Sequence, residues 1–534
     1  MIIIFCPGCF TSGDDTHARA RRTTPCTCAT SLSTNLSALN PNRKPRSGGE
    51  LSIRVESEPG LLLSMYSAHP SVTQIVDHDI MEALVKLDDT TGDPVPELAE
   101  YWESNIDHTV FTFFLVQNAE WHDGKPFSAE DVEYTFTQLF DPAGGAVVRS
   151  QFEDIANVTA DERYKVVFEL DNPRPDFVTD ISRIMILPEH IFKNTTVVSN
   201  ETARAPIGTG PFVFGSWKKG QFIEIKRNMQ WRKGVVPLEK VTYKFVPERR
   251  VAVELFNGRS LDILTDAYEA TAKDAQRLDF PLQKIDAWVF QTRGPYFSDA
   301  RTRQAVSKLI DRDAIACSIM SCLAKPIHSP WSDITVPNHH SRFSPKEARA
   351  LLKAAGWKDR DGDGILERNG VPFSFTLLLP DTDVSQTRAV TVIAHDLRKA
   401  GIEMNLTVVS WAVYTDRLRK HRFDASVLSI STAPPFNAAE LFHTDGIQTG
   451  RNFGQFSDVK IDALFDSLLR EQDPDKRAAL HRRIAKRLDW LQPMSFTFHP
   501  YQRYLVRNGI FGVTIGADGI EERRLWLANP GGTR

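Results

Sequence analysis

The chain has 534 residues, of which 41% are apolar, and its 64 Lys and Arg are balanced by 68 Asp and Glu, giving a formal net charge of −4. This composition is typical of a globular protein of about three to four domains, and without an excess of cations we expect no nucleic-acid partner and no general attraction to an anionic membrane. No stretch approaches the roughly 18 consecutive apolar residues of a membrane helix, so we expect a soluble body.

The first 48 residues differ in composition from the rest of the chain. They contain Cys6, Cys9, Cys26 and Cys28 and, after the first ten positions, consist largely of Ser, Thr, Asn, Pro and Arg. Because such a segment has almost nothing apolar to bury, we predict a disordered leader or a misassigned start. Four thiolates could bind zinc, but the C-x-C spacing is atypical of zinc sites. The segment also does not have the pattern of a usual secretory signal.

A regular pattern begins after this segment. Leu51, Ile53 and Val55 alternate with polar neighbours. Because successive side chains of a strand point to opposite faces, this alternation predicts a half-buried strand. We take this strand as the start of a first lobe.

A strand-rich region follows the first strand. A strand is predicted at 110–116, and Ser128 and Asp131 form a capping box that begins a helix. Further along, a hairpin is predicted at 212–226, with its turn at 217–220.

The region 241–264 has a different pattern. A strand is predicted at 241–246, a helix at 248–256 that ends at Gly258, and a short strand at 261–264. This order is that of a βαβ unit, which predicts parallel strands covered by a helix.

Two helices and two cysteines follow in the middle of the chain. Ser298 and Asp299 cap a helix that continues to position 310, and a second helix begins after Ser344. Between them lie Cys317 and Cys322, in a stretch with helical spacing. Side chains five positions apart on a helix point to different faces, so we predict two buried thiols rather than a disulfide.

The second half repeats the alternation of strand and helix, which predicts a parallel sheet in a second lobe. The predicted elements are a strand at 373–379, a helix at 384–400 ending at Gly401, a strand at 403–409, a helix at 411–420 and a strand at 423–429.

Two α/β lobes separated in sequence imply a cleft between them. Open α/β sheets bind ligands at the carboxyl ends of their strands. In this chain those ends are Asp266, after the strand at 261–264, and Ile430, after the strand at 423–429. This reasoning leaves two alternatives, a two-lobed binding protein and a two-lobed enzyme.

The sequence contains six short motifs in the same order in which they occur in one known protein family. The sequence resembles the extracytoplasmic solute-binding proteins of ABC importers, family 5, the dipeptide-, oligopeptide- and nickel-binding group. The motifs are Glu82-Ala-Leu84, Pro96-Glu-Leu-Ala99 leading to Trp102, Trp121-His-Asp-Gly-Lys-Pro126, Ile207-Gly-Thr-Gly-Pro211, Arg301-Thr-Arg303-Gln-Ala305 running to Asp311-Arg312, and Ala355-Gly-Trp357 before Asp361-Gly-Asp-Gly364.

The resemblance implies a fold and a division into domains. The fold is the α/β two-lobed periplasmic-binding-protein fold, type II in its three-domain variant, with the ligand cleft between the lobes. Domain I is then discontinuous, at 49–87, 204–287 and 495–534, domain II is an insert at 88–203, and domain III is the second lobe at 288–494. We expect the lobes to close about a hinge near 287–291.

The resemblance also implies a function without catalysis or cofactor. The chain would capture a peptide-like or other small solute and deliver it to ABC permease and ATPase subunits, as a monomer in the periplasm or another extracytoplasmic space. The alternatives are a two-lobed hydrolase that uses cleft carboxylates and a ligand-sensing receptor domain. No nucleophile elbow, zinc-protease motif or phosphate loop is present in the sequence.

The chain departs from peptide-binding relatives where they hold the ligand's amino terminus with an Asp. An ungapped alignment puts Ala433 at that Asp, Ile430 at a second Trp, and Leu418 and Val427 at two arginines. Because a buried ammonium without a carboxylate is costly, binding of ordinary peptides with a free amino terminus is in doubt, and a less polar solute fits better.

Four further positions complete the predicted ligand site. His69 and Ser71 follow the first strand, where similar proteins touch ligand, and Asp266 ends a strand of the first lobe. Trp411 opens a helix directly after a strand, where its ring could form the cleft floor or pack in the core.

Two patterns resemble metal sites but are not taken as such. The run from Asp359 to Gly364 is similar to the start of a calcium loop, yet Gly370 stands where an EF-hand needs a bidentate carboxylate. The adjacent His339 and His340 could bind nickel, although adjacent histidines in a loop are usually solvated. We expect no metal at either place.

Overall fold

The computed structural model describes residues 44–528 apart from 68, 89–91, 142–143, 268–273, 332–333, 335, 337–339, 381–383, 433–435, 450, 472, 517–518 and 521. The predictions for the four N-terminal cysteines and for Ala433 therefore lie outside the described residues, as does most of the predicted leader. Among the residues that are described, no helix has both the length and the apolar composition to cross a bilayer.

The strands of the described residues are, in chain order, β1 (Glu50–Val55), β2 (Val85–Leu87), β3 (Pro94–Pro96), β4 (Ala99–Ser104), β5 (Val110–Leu115), β6 (Ile155–Glu162), β7 (Lys165–Leu170), β8 (Phe212–Lys218), β9 (Phe222–Arg227), β10 (Lys240–Phe245), β11 (Ile263–Leu264), β12 (Ala275–Pro281), β13 (Lys284–Phe290), β14 (Ala324–Pro326), β15 (Glu367–Arg368), β16 (Val371–Pro372), β17 (Ser374–Pro380), β18 (Glu403–Val409), β19 (Ala425–Ser431), β20 (Met494–Arg507), β21 (Ile510–Phe511), β22 (Ile515–Gly516), β23 (Gly519–Ile520) and β24 (Trp526–Leu527).

The α-helices are α1 (Pro70–Val76), α2 (Ala129–Phe140), α3 (Phe177–Asp180), α4 (Glu189–Phe192), α5 (Arg249–Asn257), α6 (Ala300–Lys308), α7 (Arg312–Ser318), α8 (Pro345–Ala354), α9 (Val384–Lys399), α10 (Trp411–Arg419), α11 (Ala439–Phe442), α12 (Gly446–Thr449), α13 (Val459–Arg470) and α14 (Pro474–Leu491). The strands and helices predicted from the sequence are confirmed, with bounds that differ by at most two residues.

A 12-stranded sheet runs through both lobes, in the order β18-β17-β19-β13-β20-β11-β1-β10-β9-β8, with β12 and β14 also paired to β20. The strand β20 makes this continuity possible because it is 14 residues long. Its first part pairs with β13 in the second lobe, and its last part pairs with β11 and β12 in the first lobe. The two lobes therefore share one strand.

The first strand, β1, is more deeply buried than its alternating pattern predicts. It lies between β10 and β11 and is parallel to both. Its burial pattern shows that all residues after Glu50 are buried, so both of its faces are covered. Ser52 and Arg54 are buried together with the apolar residues. Arg54 is accommodated because its guanidinium donates hydrogen bonds to the carbonyl oxygens of Val246 and Pro247. The prediction of a half-buried strand was wrong for this reason.

The second lobe has the predicted alternation of strands and helices. The strand β17 is parallel to β18 and β19, and β13 joins β19 to β20 in antiparallel pairing. The helix α9 packs on one face of this sheet, with Ile393 in its core, and α10 packs on the other face, with Leu418 in a second core.

The insert is a smaller unit built on a four-stranded sheet in the order β4-β5-β7-β6. The helix α2 packs on this sheet and begins with the predicted capping box of Ser128 and Asp131. Phe111, Phe168 and Phe177 form an aromatic cluster beneath it, with ring centroids 4.8 to 5.3 Å apart.

Cys317 and Cys322 form a disulfide, so the prediction of two buried thiols was wrong. The helix α7 ends at Ser318, between the two cysteines. Ser321 and Cys322 have φ angles of 52° and 59°, which turn the chain back, and the amide of Cys322 donates to the carbonyl oxygen of Ala316. The rule for side chains five positions apart on a helix does not apply across this turn.

His122, within a family motif, holds a second motif in place. Its Nδ1 accepts a hydrogen bond from the amide of Gly208 at 3.1 Å, and its Nε2 donates to the carbonyl oxygen of Gly210, also at 3.1 Å. Burial lowers the pKa of His122 to about 4, against smaller opposite effects of Gly210 and Asp123. The imidazole is therefore a neutral structural bridge.

We expect His122 to make the protein less stable in mild acid. Below its ordinary pKa of about 6.5 the unfolded chain takes up a proton that the folded chain resists down to about 4. The free energy of unfolding should therefore fall by up to about 3 kcal/mol as the pH decreases through this window. Urea denaturation between these pH values, on the wild type and on His122→Gln, measures the effect. Equal pH dependence in both proteins would contradict it.

Candidate functional site

A cavity of about 150 Å³ lies between the insert and the second lobe. Both units contribute side chains to its wall, so it is an interlobe cavity. The insert contributes Val148, Gln151, Phe152, Asp180, Arg183 and Ile184, and the second lobe contributes Ile430, Ser431, Phe436, Asn437, Glu440, Leu441 and Arg451.

The insert side of the cavity is fixed by a partly buried arginine. Arg174 donates to Asp154 at 2.7 Å and to Asp180 at 2.8 Å, which holds the turn that carries Asp180 and Arg183. Burial raises the pKa of Asp180 to about 6, although Arg174 lowers it. The insert therefore places the carboxyl group of Asp180 at the cavity wall. This group is a weaker acid than an ordinary Asp, and it lies beside the guanidinium of Arg174.

The second-lobe side of the cavity is built at the carboxyl end of β19. Ile430 and Ser431 are the last two residues of this strand, and the short helix α11 adds Glu440 and Leu441. The carboxylate of Glu440 lies 3.8 Å from the guanidinium of Arg451. The cavity wall therefore combines apolar side chains with two acids and two arginines.

Ile430 is the predicted site residue that lines this cavity. It is also buried among the core residues on the α10 face of the sheet. The following Ser431 is exposed, which is the expected arrangement at the carboxyl end of a strand that meets a cleft. Ala433 lies just beyond, outside the described residues.

Trp411 is not among the residues that line this cavity. It is the first residue of α10, and its side chain is 58% exposed. Its ring stacks on Tyr414 with centroids 5.5 Å apart, and Tyr414 is anchored by a hydrogen bond from its hydroxyl to the carbonyl oxygen of Val427. The ring is thus held in place and accessible, and it is not packed in the core.

His69 and Ser71 hold the beginning of α1. The Nδ1 atom of His69 accepts from the amide of Ser71, and its Nε2 lies 2.9 Å from the hydroxyl of Ser57. Ser71 is buried, and its hydroxyl donates to the carbonyl oxygen of Ser57. These contacts tie α1 to the segment that follows β1, and neither side chain lines the described cavity.

Asp266 lies at the end of β11 in the first lobe, with a φ angle of 55°. Its carboxylate accepts from Arg54 at 3.3 Å and from Gln502 at 3.0 Å, and 18% of its side chain is exposed. The structure therefore does not bring Asp266 together with Ile430 at the described cavity.

Leu418 and Val427 do not shape the cavity. Both are 4% exposed and lie in hydrophobic cores on opposite faces of the second-lobe sheet. That they stand at the positions of two arginines of peptide-binding relatives stays a prediction, and in this structure both side chains are packed in the protein interior.

The sequence reasoning missed the insert side of the cavity. Phe152, Asp180 and Arg183 lie in irregular segments and short helical turns, where no periodicity or motif marks a ligand contact. The partner wall is about 250 positions further along the chain, and only packing of the insert on the second lobe brings the two together.

Two polar contacts join the insert to the rest of the protein. Arg183 donates to the side-chain oxygen of Gln283 at 2.9 Å, between β12 and β13. The Nη2 atom of Arg477, on α14, lies 2.6 Å from the carboxylate of Asp176. The insert and the second lobe are therefore in contact in this conformation.

The acidic loop after α8 forms a surface turn. Carboxylate oxygens of Asp359, Asp361 and Asp363 lie within 4.8 Å of one another, and all three residues are exposed. Asp359 accepts hydrogen bonds from the amides of Gly362 and Gly364, so the loop is organised by its own backbone. This arrangement agrees with the interpretation as a turn.

Comparison with known proteins identifies what the chain is similar to. The model of "Bacterial extracellular solute-binding proteins, family 5 Middle" matches residues 93–450. The oligopeptide-binding protein AppA of Bacillus subtilis is 28% identical over 509 residues, which cover 91% of this chain and 92% of AppA.

Comparison with solved structures finds proteins of the same kind. The structure of Bacillus subtilis AppA in complex with a nonapeptide matches 91% of this chain and all of that chain, with 25% identity and a TM-score of 0.74. The structure of NikA from Brucella suis in complex with Fe(III)-EDTA has a TM-score of 0.79 over 90% of this chain and 99% of that chain, and at 21% identity it supports the fold.

Proposed function

The chain belongs to the bacterial extracellular solute-binding proteins of family 5, and from this premise we propose that it captures a solute between its lobes for the permease and ATPase of an ABC importer. The observation that carries the proposal is the interlobe cavity, whose wall is shared by the insert and the second lobe. A solute that contacts both walls stabilises the closed arrangement, which is the change that a permease can recognise.

A peptide-like ligand is the first candidate. The similarity to an oligopeptide-binding protein over nine-tenths of the chain supports it, and so do the mixed apolar and charged residues of the cavity wall. Asp180 and Glu440 are carboxyl groups that could hold an amine, although each already faces an arginine. On the basis of the ungapped alignment, which puts Ala433 at the Asp of peptide-binding relatives, we propose that ligands with a blocked or absent amino terminus bind more tightly.

The remaining predicted site residues stay part of the proposal. Trp411 is accessible for stacking, and His69, Ser71 and Asp266 would line the first-lobe side of a ligand larger than the described cavity. We also include Ala433 on the basis of the sequence alignment alone.

We propose that the lobes move about the short connection between β12 and β13 and about the adjacent residue Pro500 of β20. The hinge predicted at 287–291 falls largely within β13, which stays paired with β19 up to Phe290. The chain passes between β12 and β13 at 282–283, where the amide of Leu282 donates to the carbonyl oxygen of Pro500 on β20. Bending at these positions leaves the sheets of both lobes intact.

We propose that the protein acts outside the cytoplasm. The family is extracellular, and disulfides such as the one between Cys317 and Cys322 form and persist in oxidising compartments.

Filling the cavity should abolish solute binding. A thermal-shift screen of peptide pairs with free and acetylated amino termini identifies the ligand, since ligand at 100 times its Kd stabilises the folded state by about 2.7 kcal/mol. Calorimetry then compares Ser431→Trp, which places an indole at the cavity wall, with Ser216→Trp, at an exposed position of β8. We expect at least about a hundredfold weaker binding for the first variant and wild-type binding for the second.

Two outcomes would contradict the proposal at different levels. Equal affinity of Ser431→Trp and wild type would place the solute elsewhere in the molecule. Chemical conversion of the ligand during incubation, detected by mass spectrometry, would favour the two-lobed hydrolase over the importer component.

A further inference from the structure

The helix α14 carries a strongly basic surface in a protein of slightly negative net charge. It spans 18 residues, and Leu480, Ile484 and Leu488 face the protein interior. At about 100° per residue, the exposed Lys476, Arg482, Arg483 and Lys486 fall within about one third of the helix circumference, on the solvent side. We call these four residues, with Trp490, the basic face.

The cations of the basic face differ from the other cations of α14. Arg477 is paired with Asp176 and Arg487 with Asp458. Within the part of the chain that the structure describes, no carboxylate lies within ion-pair distance of the four exposed cations. Asp475, in the first turn, is the acid that shares their side of the helix. The basic face therefore has a net charge of about +3 that the fold itself does not neutralise.

An exposed aromatic ring completes this surface. Trp490 is 54% exposed and lies on the same side of the helix as the four cations. Its ring contacts His340 edge-on, with centroids 4.7 Å apart, and its carbonyl oxygen accepts from Gln304. The indole is therefore presented to solvent by a fixed backbone.

Cations and Trp on one exposed helix face fit the surface of an anionic lipid layer. Lys and Arg are attracted by anionic headgroups, and Trp is favoured at the boundary between headgroups and acyl chains. Mobile headgroups can rearrange to match the spacing of four cations on a convex helix face, so a lipid surface needs no preformed complementary site. The composition of the whole chain does not reveal the basic face, because its cations are concentrated on one helix and are balanced by charges elsewhere in the chain.

We propose that the basic face of α14 adsorbs weakly and reversibly to anionic phospholipid headgroups. The attraction is electrostatic, so it falls with ionic strength. Because Arg477 of the same helix contacts Asp176 of the insert, adsorption along α14 also brings this part of the insert close to the membrane surface.

The test uses the full chain and sedimentation with vesicles of phosphatidylcholine, with and without phosphatidylglycerol. We expect binding to the mixed vesicles that disappears at high salt and is absent with phosphatidylcholine alone. The quadruple variant K476Q/R482Q/R483Q/K486Q should lower the partition coefficient at least about tenfold. Trp490→Ala should lower it by a smaller factor.

A matched control separates the basic face from charge in general. The variant R483Q/K486Q removes two charges from α14, and K218Q/K219Q removes two exposed charges from the turn between β8 and β9. We expect the first to weaken vesicle binding and the second to leave it unchanged, with both proteins folded as judged by circular dichroism.

Three outcomes would overturn the proposal. One is the absence of wild-type binding to mixed vesicles, and another is an equal loss in the two double variants. The third is binding of soluble polyglutamate, but not of vesicles, through the four cations, which would assign the basic face to an acidic protein partner.

Discussion

Replacement of Gly208 by Ala is expected to unfold the first lobe or to destabilise it by roughly 4 kcal/mol or more. A Cβ atom at this position would lie 1.8 Å from the carbonyl oxygen of Ile80 and 2.5 Å from its carbonyl carbon. Both are backbone atoms, so the clash cannot be relieved by a side-chain rotation. The motif at 207–211 therefore has glycine because two backbone segments touch there.

The same position is held by hydrogen bonds that a shift of the backbone would break. The amide of Gly208 donates to His122, and its carbonyl oxygen accepts from the amide of His122 at 2.8 Å. Denaturant unfolding measures the loss. Gly60→Ala is the matched control, because no atom lies within 4 Å of its Cβ position. A free energy of unfolding for Gly208→Ala within about 1 kcal/mol of wild type would contradict the argument.

Replacement of Arg312 by Met is expected to destabilise the second lobe by about 3 to 5 kcal/mol. The guanidinium is buried and donates to the carbonyl oxygens of Phe496, Ser341 and Ser307, and to the hydroxyl of Ser495. Met fills the space but leaves these acceptors without donors in the interior. Burial lowers the pKa of Arg312 to about 10, so the group still carries its charge at neutral pH.

The control for Arg312 comes from the same motif. Arg301 is half exposed and pairs with Asp299 within its own helix cap. Because solvent can replace these contacts, Arg301→Met should change the free energy of unfolding far less. Denaturant unfolding of both variants, followed by circular dichroism, measures the difference. Similar losses of unfolding free energy in Arg312→Met and Arg301→Met would contradict the explanation, which attributes the destabilisation to buried carbonyl oxygens left without a donor.

The family motifs were identified in the sequence, but their role is structural where the contacts are described. His122 and Gly208 from two motifs bond to each other, and Arg312 from a third ties α7 to β20. Such residues tolerate few replacements, which makes them good markers of the fold. They say little about which ligand is bound, because the side chains of the solute cleft differ between proteins that share the same fold.

The strands and helices were predictable because their signals are local. The capping box at Ser128, the glycine stop at Gly401 and the alternation in the second lobe act within one turn or one strand. The prediction for Cys317 and Cys322 was wrong where a local rule was carried past the end of α7 into a turn with positive φ angles.

The sequence by itself determined the fold class, the order of the elements and the family. Only the tertiary structure decided the burial of β1, the separation of Leu418 and Val427 onto opposite faces, and the wall of the cavity. Asp180 and Arg183 meet Ile430 because the insert packs against the second lobe. The physical reason is the distance along the chain over which the interactions act. Helix caps and periodicity depend on neighbours within a few residues, whereas a cleft forms from the packing of segments about 250 positions apart.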